Sequence, residues 1–246
     1  MNNKKKYKNK LSFWHTDNIV FFVIAIICIL ICGYFCYPKN NETNTLLISL
    51  LPAILPSVLI PLGLNFGKYL REKSNIKTVC KSIISLSIFM VNSLNMHLIK
   101  TNQETFSSLD ELNSKEKTNN INFEKFETLD DVFILISDKL LSIKQMEYME
   151  ISESAKYLIE KTTLSMKKAF NKKDYAELYS NLCIAVNIVG TMEPSSDEMD
   201  YIETFNKQVN QKRDALKNEL CNFTDDYIVE CLENELSERI NSCESL

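Results

Sequence analysis

Two histidines and eight cysteines are the side chains of this 246-residue sequence best suited to hold a metal or attack a substrate. A metal centre needs three or four such ligands at short, specific spacings. His15 stands beside Trp14, and His97 lies in an apolar stretch. Neither has a Cys, Asp or His at ligand spacing, so neither a metal nor a cofactor is expected. Cys80, Cys183, Cys221, Cys231 and Cys243 are scattered without a CxxC pair, which is the pattern of reduced thiols rather than of a disulfide framework. Gly63-Leu-Asn-Phe-Gly67-Lys68 has the residue types of a phosphate loop but the wrong spacing, and no strand signal precedes it. The carboxylate pairs Asp130/Asp131 and Asp225/Asp226 stand where helix N-termini favour negative charge, so capping accounts for them. GxSxG, HExxH and GxGxxG do not occur. No catalytic residue is assigned, and a non-enzymatic protein is expected.

The elements around these residues are more telling. Ile19 to Tyr37 is an uncharged run of 19 residues, interrupted only by Gly33. As a helix it spans roughly 28 Å, about the thickness of a bilayer core. A second run begins at Leu46 and reaches residue 66, with Ser49 and Ser57 its polar side chains as far as Leu64. Two such runs joined by a short polar link predict a transmembrane helical hairpin over residues 18–67, with spans at about 19–37 and 46–66. Trp14, Tyr34 and Tyr37 suit the aromatic belts at its two interfaces. The lysines before the first run also suit a signal peptide. The run is too long for one, however, and Phe35-Cys36-Tyr37-Pro38 is a poor cleavage site.

Orientation follows from the cations. Lys4, Lys5, Lys6, Lys8 and Lys10 precede the first span, and Lys68, Arg71, Lys73, Lys77 and Lys81 follow the second, whereas the intervening link holds only Lys39. The positive-inside rule then predicts an inner-membrane, multi-pass protein with both termini in the cytoplasm. Lys4, Lys5, Lys6, Lys8, Lys10, Lys68, Arg71 and Lys73 form a basic collar for the anionic inner leaflet. Membrane lipid is thus the first expected partner. The sequence's net charge of −4 offers nucleic acid no general attraction.

Each span carries a stripe of small or notched residues: Ala25, Cys28, Cys32 and Cys36 on the first, and Ser49, Pro52, Pro56, Gly63 and Gly67 on the second. Helices in lipid associate through close approach, which small residues permit. The stripes are expected to pack on each other, and one of them to serve a homo-oligomer in the sharper alternative. Pro52, Pro56 and Pro61 each remove a backbone donor, so a bent second span is expected.

Beyond the hairpin the pattern is helical. Residues 68–100 read as a juxtamembrane amphipathic helix with Ile76, Cys80, Ile83, Met90, Leu94 and Leu98 on one face. Its apolar middle, within 79–99, is too short for a third span and is confined by Lys81, Asn92, Asn95 and His97. It is therefore expected to be a core or oligomer-facing helix. Residues 101–122 read as a polar surface linker in which Ser108-Leu-Asp-Glu111 caps at most one short turn.

Residues 123–246 read as an acidic helical bundle. One helix is expected to open at Thr128-Leu-Asp-Asp131, one to end at Gly190 as a C-cap, and one to start at the box Ser195-Ser-Asp-Glu198. Seventeen Lys and Arg face twenty-nine Asp and Glu over residues 82–246, so a basic cytoplasmic protein is a further candidate partner.

The fold class expected is therefore all-α: a two-span transmembrane hairpin after a basic tail (1–17), followed by a cytoplasmic helical bundle. In architecture this resembles the small two-span effectors of bacterial anti-phage and stress-signalling systems. The resemblance implies a cytoplasmic part that senses or oligomerises and a membrane part that perturbs the bilayer. An anchored scaffold that recruits a soluble partner is the alternative, and an enzyme of unassigned chemistry the third reading.

Overall fold

A computed structural model describes residues 9–14, 16–35, 43–101, 103–113, 131–192 and 200–219, with backbone alone at 10, 16–17, 32–35, 43–55 and 218–219. These residues are helical apart from two two-residue strands and the connections. The chain divides into two compact units, Leu11–Ser74 on the one hand and Met1–Lys10 with Asn75–Leu246 on the other.

The 11–74 unit contains α1 (Thr16–Phe35) and the first part of α2 (Thr43–Lys100). Asn65 Nδ2 donates to Asn18 Oδ1 at 2.7 Å, and the Phe13 ring meets Phe66 and Tyr69 edge-on at 5.6 and 5.5 Å. The start of α1 thus lies beside residues 65–69 of α2. Ala25 of α1 and Val58 of α2 are both buried. Helix α2 runs unbroken through Pro52, Pro56 and Pro61.

In the other unit, α2 from Asn75 onward is the central helix. Between Ile76 and Leu98 only Lys81 is exposed. The second part of this helix is covered on every side, as a helix apolar all round must be. By length and composition one described stretch could cross a membrane, Pro56–Lys100, yet 83% of its most apolar window is buried inside the protein. That apolarity is spent on the bundle core, not on lipid. The stretch 79–99 is a core helix.

Four further helices belong to this unit: α4 (Asp131–Lys144), α5 (Glu153–Lys172), α6 (Tyr175–Gly190) and α7 (Tyr201–Glu219). Successive members pack on one another. Their apolar stripes meet at Phe133, Ile136, Leu140, Ile159, Met166, Leu178, Leu182, Val186, Phe205 and Val209, all fully buried. On α5 the stripe is partly polar, because Thr162 and Thr163 are buried while Leu158 is exposed. Tyr179 ties α6 to the central helix, its hydroxyl donating to the Met90 carbonyl at 3.2 Å and its ring meeting Phe133 edge-on at 5.3 Å.

Short polar side chains start the helices by accepting orphan N–H groups. Ser152 caps α5 and Asp174 caps α6. Asp200 caps α7 through the Ile202 and Glu203 amides at 3.0 and 3.2 Å. The box predicted at Ser195–Glu198 lies outside the described residues, as does Thr128, and the α7 cap is five residues further on than that box. Gly190 ends α6, but not through a left-handed turn. A Cβ there would stand 2.6 Å from Ile202 Cδ1, so the glycine serves the close approach of α7. The left-handed cap belongs instead to Lys173, with φ 54° after α5.

Within 101–122 the described part is not a surface linker. Phe106, Leu109 and Leu112 are buried, and Asn95 of the central helix holds Phe106 at both ends of its peptide. Asn95 Oδ1 accepts the Phe106 N–H at 2.7 Å, and Nδ2 donates to the Phe106 carbonyl at 2.9 Å. The one-turn helix α3 (Leu109–Leu112) follows, capped by Ser108 as its sequence predicts, with the Glu111 carboxylate accepting the Ser107 N–H at 2.7 Å.

Candidate functional site

The feature that asks for a functional explanation is the exterior of the 11–74 unit. On α1, Ile19, Val20, Phe22, Val23, Ile24, Ile26, Ile27, Ile29, Leu30 and Ile31 are all exposed, while Asn18 and Ala25 are buried and Cys28 half-buried. A soluble surface helix buries its apolar stripe and shows its polar one. Here the order is reversed, and the polar Asn18 is the hidden side chain. The first part of α2 is similar: Leu59, Ile60, Leu64, Phe66 and Leu70 are exposed around a buried Val58. Contiguous exposed apolar surface of this extent marks a surface covered by something other than water.

The helix faces can be compared with the sequence expectations. On α1, Ala25 and Cys28 lie on the protected face with Asn18 and Phe21. The Cys32 side chain and Cys36 lie outside the described residues. On α2 the protected face is Val58, Pro61, Leu62, Asn65 and Tyr69. Pro56, Gly63 and Gly67 are exposed, at about 140–180° around the helix from Val58 at 100° per residue. The space beside Gly63 and Gly67 is open, for nothing lies within 4 Å of an added Cβ. The two small-residue stripes are therefore not brought together at these positions. The Ser49 and Pro52 side chains lie outside the described residues. Lys68, Arg71 and Lys73 are exposed along the turn that follows. Lys4, Lys5, Lys6 and Lys8 lie outside the description, and Lys10 has only its backbone there.

Two groups at this end go beyond the expectation for Trp14: the Asn18–Asn65 pair, and the rings of Phe13, Phe22, Phe66 and Tyr69 gathered near it. Asn18 uses both ends of its amide, since its Nδ2 also donates to the Phe13 carbonyl at 2.9 Å. Trp14 meets Phe13 at 5.7 Å and Phe22 at 5.4 Å, and stays 56% exposed. A half-exposed ring cluster at the end of an apolar helix pair has the composition of a membrane–water interface. The signal available in the sequence was the position of Asn18 and Asn65, each just inside one end of an apolar run.

In the bundle, Cys80 and Cys183 are free and buried, and burial pushes both thiols up to about 12. Thiols so protonated are poor nucleophiles. No group of three His, Cys, Asp or Glu that could hold a metal occurs among the described residues. An open cleft of about 610 Å³ runs between the end of α2, the 103–111 segment and α7. Its lining offers Glu104, Glu111, Arg213 and Lys217 with the hydroxyls of Thr105 and Ser107, and no His or Cys. No protein-family model matches the chain, and no curated protein or solved structure does.

Proposed function

We propose that the chain is an integral membrane effector, with α1 and the first part of α2 a two-span hairpin in a bacterial inner membrane. The bundle then lies in the cytoplasm, senses a signal or oligomerises, and drives the hairpin to perturb the bilayer. The observation that carries this reading is the inverted α1, apolar outward and amide inward. Twelve Ile, Val, Leu and Phe between Ile19 and Phe35 contribute roughly 4–7 kcal/mol to insertion. In water the same surface is a liability. The Asn65–Asn18 bond between the start of α1 and α2 supports a hairpin. The cations Lys68, Arg71 and Lys73 support placing that side at the anionic leaflet. The outward stripe of Pro56, Gly63 and Gly67 is the surface on which a second copy would pack.

Induced expression with a potential-sensitive dye tests the reading. Depolarisation and growth arrest are expected, and loss of both in Ile27→Arg, which places a charge near the middle of α1 at a cost of roughly 3 kcal/mol. Unchanged potential at full membrane level of the wild-type protein refutes it.

A second reading, an anchored scaffold, is favoured by one observation. Tyr157 and Leu164 share a face of α5 and are 64% and 71% exposed on the acidic bundle. A protein that leaves the potential intact while full-length chain co-purifies a soluble partner, lost in Leu164→Glu, decides for it.

A further inference from the structure

Asn9 lies seven residues before α1, yet it is buried in the bundle unit at 1% exposure. Its side-chain amide is used at both ends: Nδ2 donates to Thr191 Oγ1 at 2.9 Å, and Oδ1 accepts the Ser152 N–H at 2.9 Å. Its backbone bridges Met192 in parallel, and β1 (Lys10–Leu11), which starts at the next residue, pairs with β2 (Met149–Glu150). The two partners are themselves caps. Ser152 accepts the Ala155 N–H at the start of α5, and Thr191 Oγ1 donates to the Ile188 carbonyl at the end of α6. One amide thus closes on the ends of two neighbouring helices. This takes a side chain that donates from one atom and accepts at another, which Asn does and an ionised Asp or a Lys does not.

We propose that this clasp is an autoinhibitory latch: Asn9 holds the segment entering α1 on the α5 and α6 caps, and movement of those caps releases it. The proposal rests on the membrane-effector reading and names its regulation. A signal on the bundle that separates the Ser152 and Thr191 caps breaks both bonds at once. The freed segment carries Lys4, Lys5, Lys6, Lys8 and Lys10, and an anionic leaflet is a competing partner for them. The basic tail of residues 1–17 is in this way pinned at Asn9 rather than free along its length.

The test uses full-length protein in vesicles of phosphatidylethanolamine with a minority of phosphatidylglycerol, reading hydrogen exchange at the Ser152 amide and release of an entrapped dye. Asn9→Ala removes both side-chain bonds and is expected to speed exchange roughly 10–30-fold. Thr191→Val removes one and is expected to speed it about 5-fold, and it keeps the test valid where the first variant folds poorly. Dye release should rise in the same order. Exchange unchanged in Asn9→Ala overturns the latch, as does faster exchange with release at the wild-type level. A wild-type protein and variants that all release nothing, while exchange is faster in the variants, overturn the effector reading and the latch with it.

Discussion

Asn18 and Asn65 provide the sharpest quantitative test of how the helix pair is held. Asn18 is 2% exposed, with both ends of its amide bonded, whereas Asn65 is half-buried. The two single substitutions should therefore cost different amounts. Asn18→Val removes its bonds to Asn65 and to the Phe13 carbonyl, both at sites that reach solvent, for about 1–2 kcal/mol. Asn65→Val leaves the Asn18 oxygen unpaired in a closed site, for about 2–3 kcal/mol. The double variant replaces both groups by apolar ones of similar size, so it should cost less than the two singles together. The coupling between them should be about 0.6–1.7 kcal/mol, the range seen for side-chain bonds between membrane helices. Unfolding of the full chain in bicelles by a denaturing detergent, followed by circular dichroism, measures all four members of the cycle. Single costs that add to within about 0.3 kcal/mol, or an Asn18→Val cost above that of Asn65→Val, refute the assignment of the bond and of the burial that ranks the two.

Two further outcomes follow from the bundle. Gly190→Leu should destabilise the bundle by about 1–3 kcal/mol through overpacking against Ile202 in chemical unfolding, with most of the loss recovered by Ile202→Ala; equal costs with and without Ile202→Ala would show that the contact is not the cause. Cys80 and Cys183, pushed up to about 12 by burial, should resist aromatic disulfide reagents at pH 8 until the chain unfolds. Because the native state keeps these protons where an unfolded thiol, near 8.5, has lost its own, stability should fall as pH rises from about 9 to 12. Cys80→Ala should flatten that fall, and an unflattened alkaline profile would count against it.

The apolar pattern made much of the bundle legible. The stripes of α4, α6 and α7 are buried as their spacing requires, and the end of α6 at Gly190 stands where it was expected. Two features were not legible. The first is the environment of α2 beyond Asn75, whose sequence shows a face at Ile76, Cys80, Ile83 and Leu94 yet is enclosed all round. The apolar middle of this helix reads as core, but periodicity counts side-chain types and does not show which neighbours a bundle supplies to Ser82, Asn92 or Asn95. The second is the face that α2 turns toward α1. Small residues were taken as the contact, and the structure places Gly63 and Gly67 in open space instead. Small residues allow close approach but supply little attraction of their own. An amide with a partner across the gap supplies it, so the rotation of α2 follows Asn65 rather than the glycines.

Asparagine is also the residue whose meaning the sequence hides most completely. Asn9, Asn18 and Asn95 are each buried at 2% exposure or less, and each uses its amide as both donor and acceptor. In the sequence they are indistinguishable from the asparagines of a polar tail or linker, since nothing in the chain marks which of them will lose its water. The difference is energetic. An amide that is hydrated in the unfolded chain gains little net from pairing, but one that is enclosed without a partner costs about 1–3 kcal/mol. Each of the three therefore selects one arrangement among many that would bury the same apolar area. Asn95 selects the path of the 103–112 segment, Asn18 the register of α1 on α2, and Asn9 the attachment of the chain before α1. Hydrophobic patterning decides that these helices are buried and in what company. The amides decide how they are turned and tied.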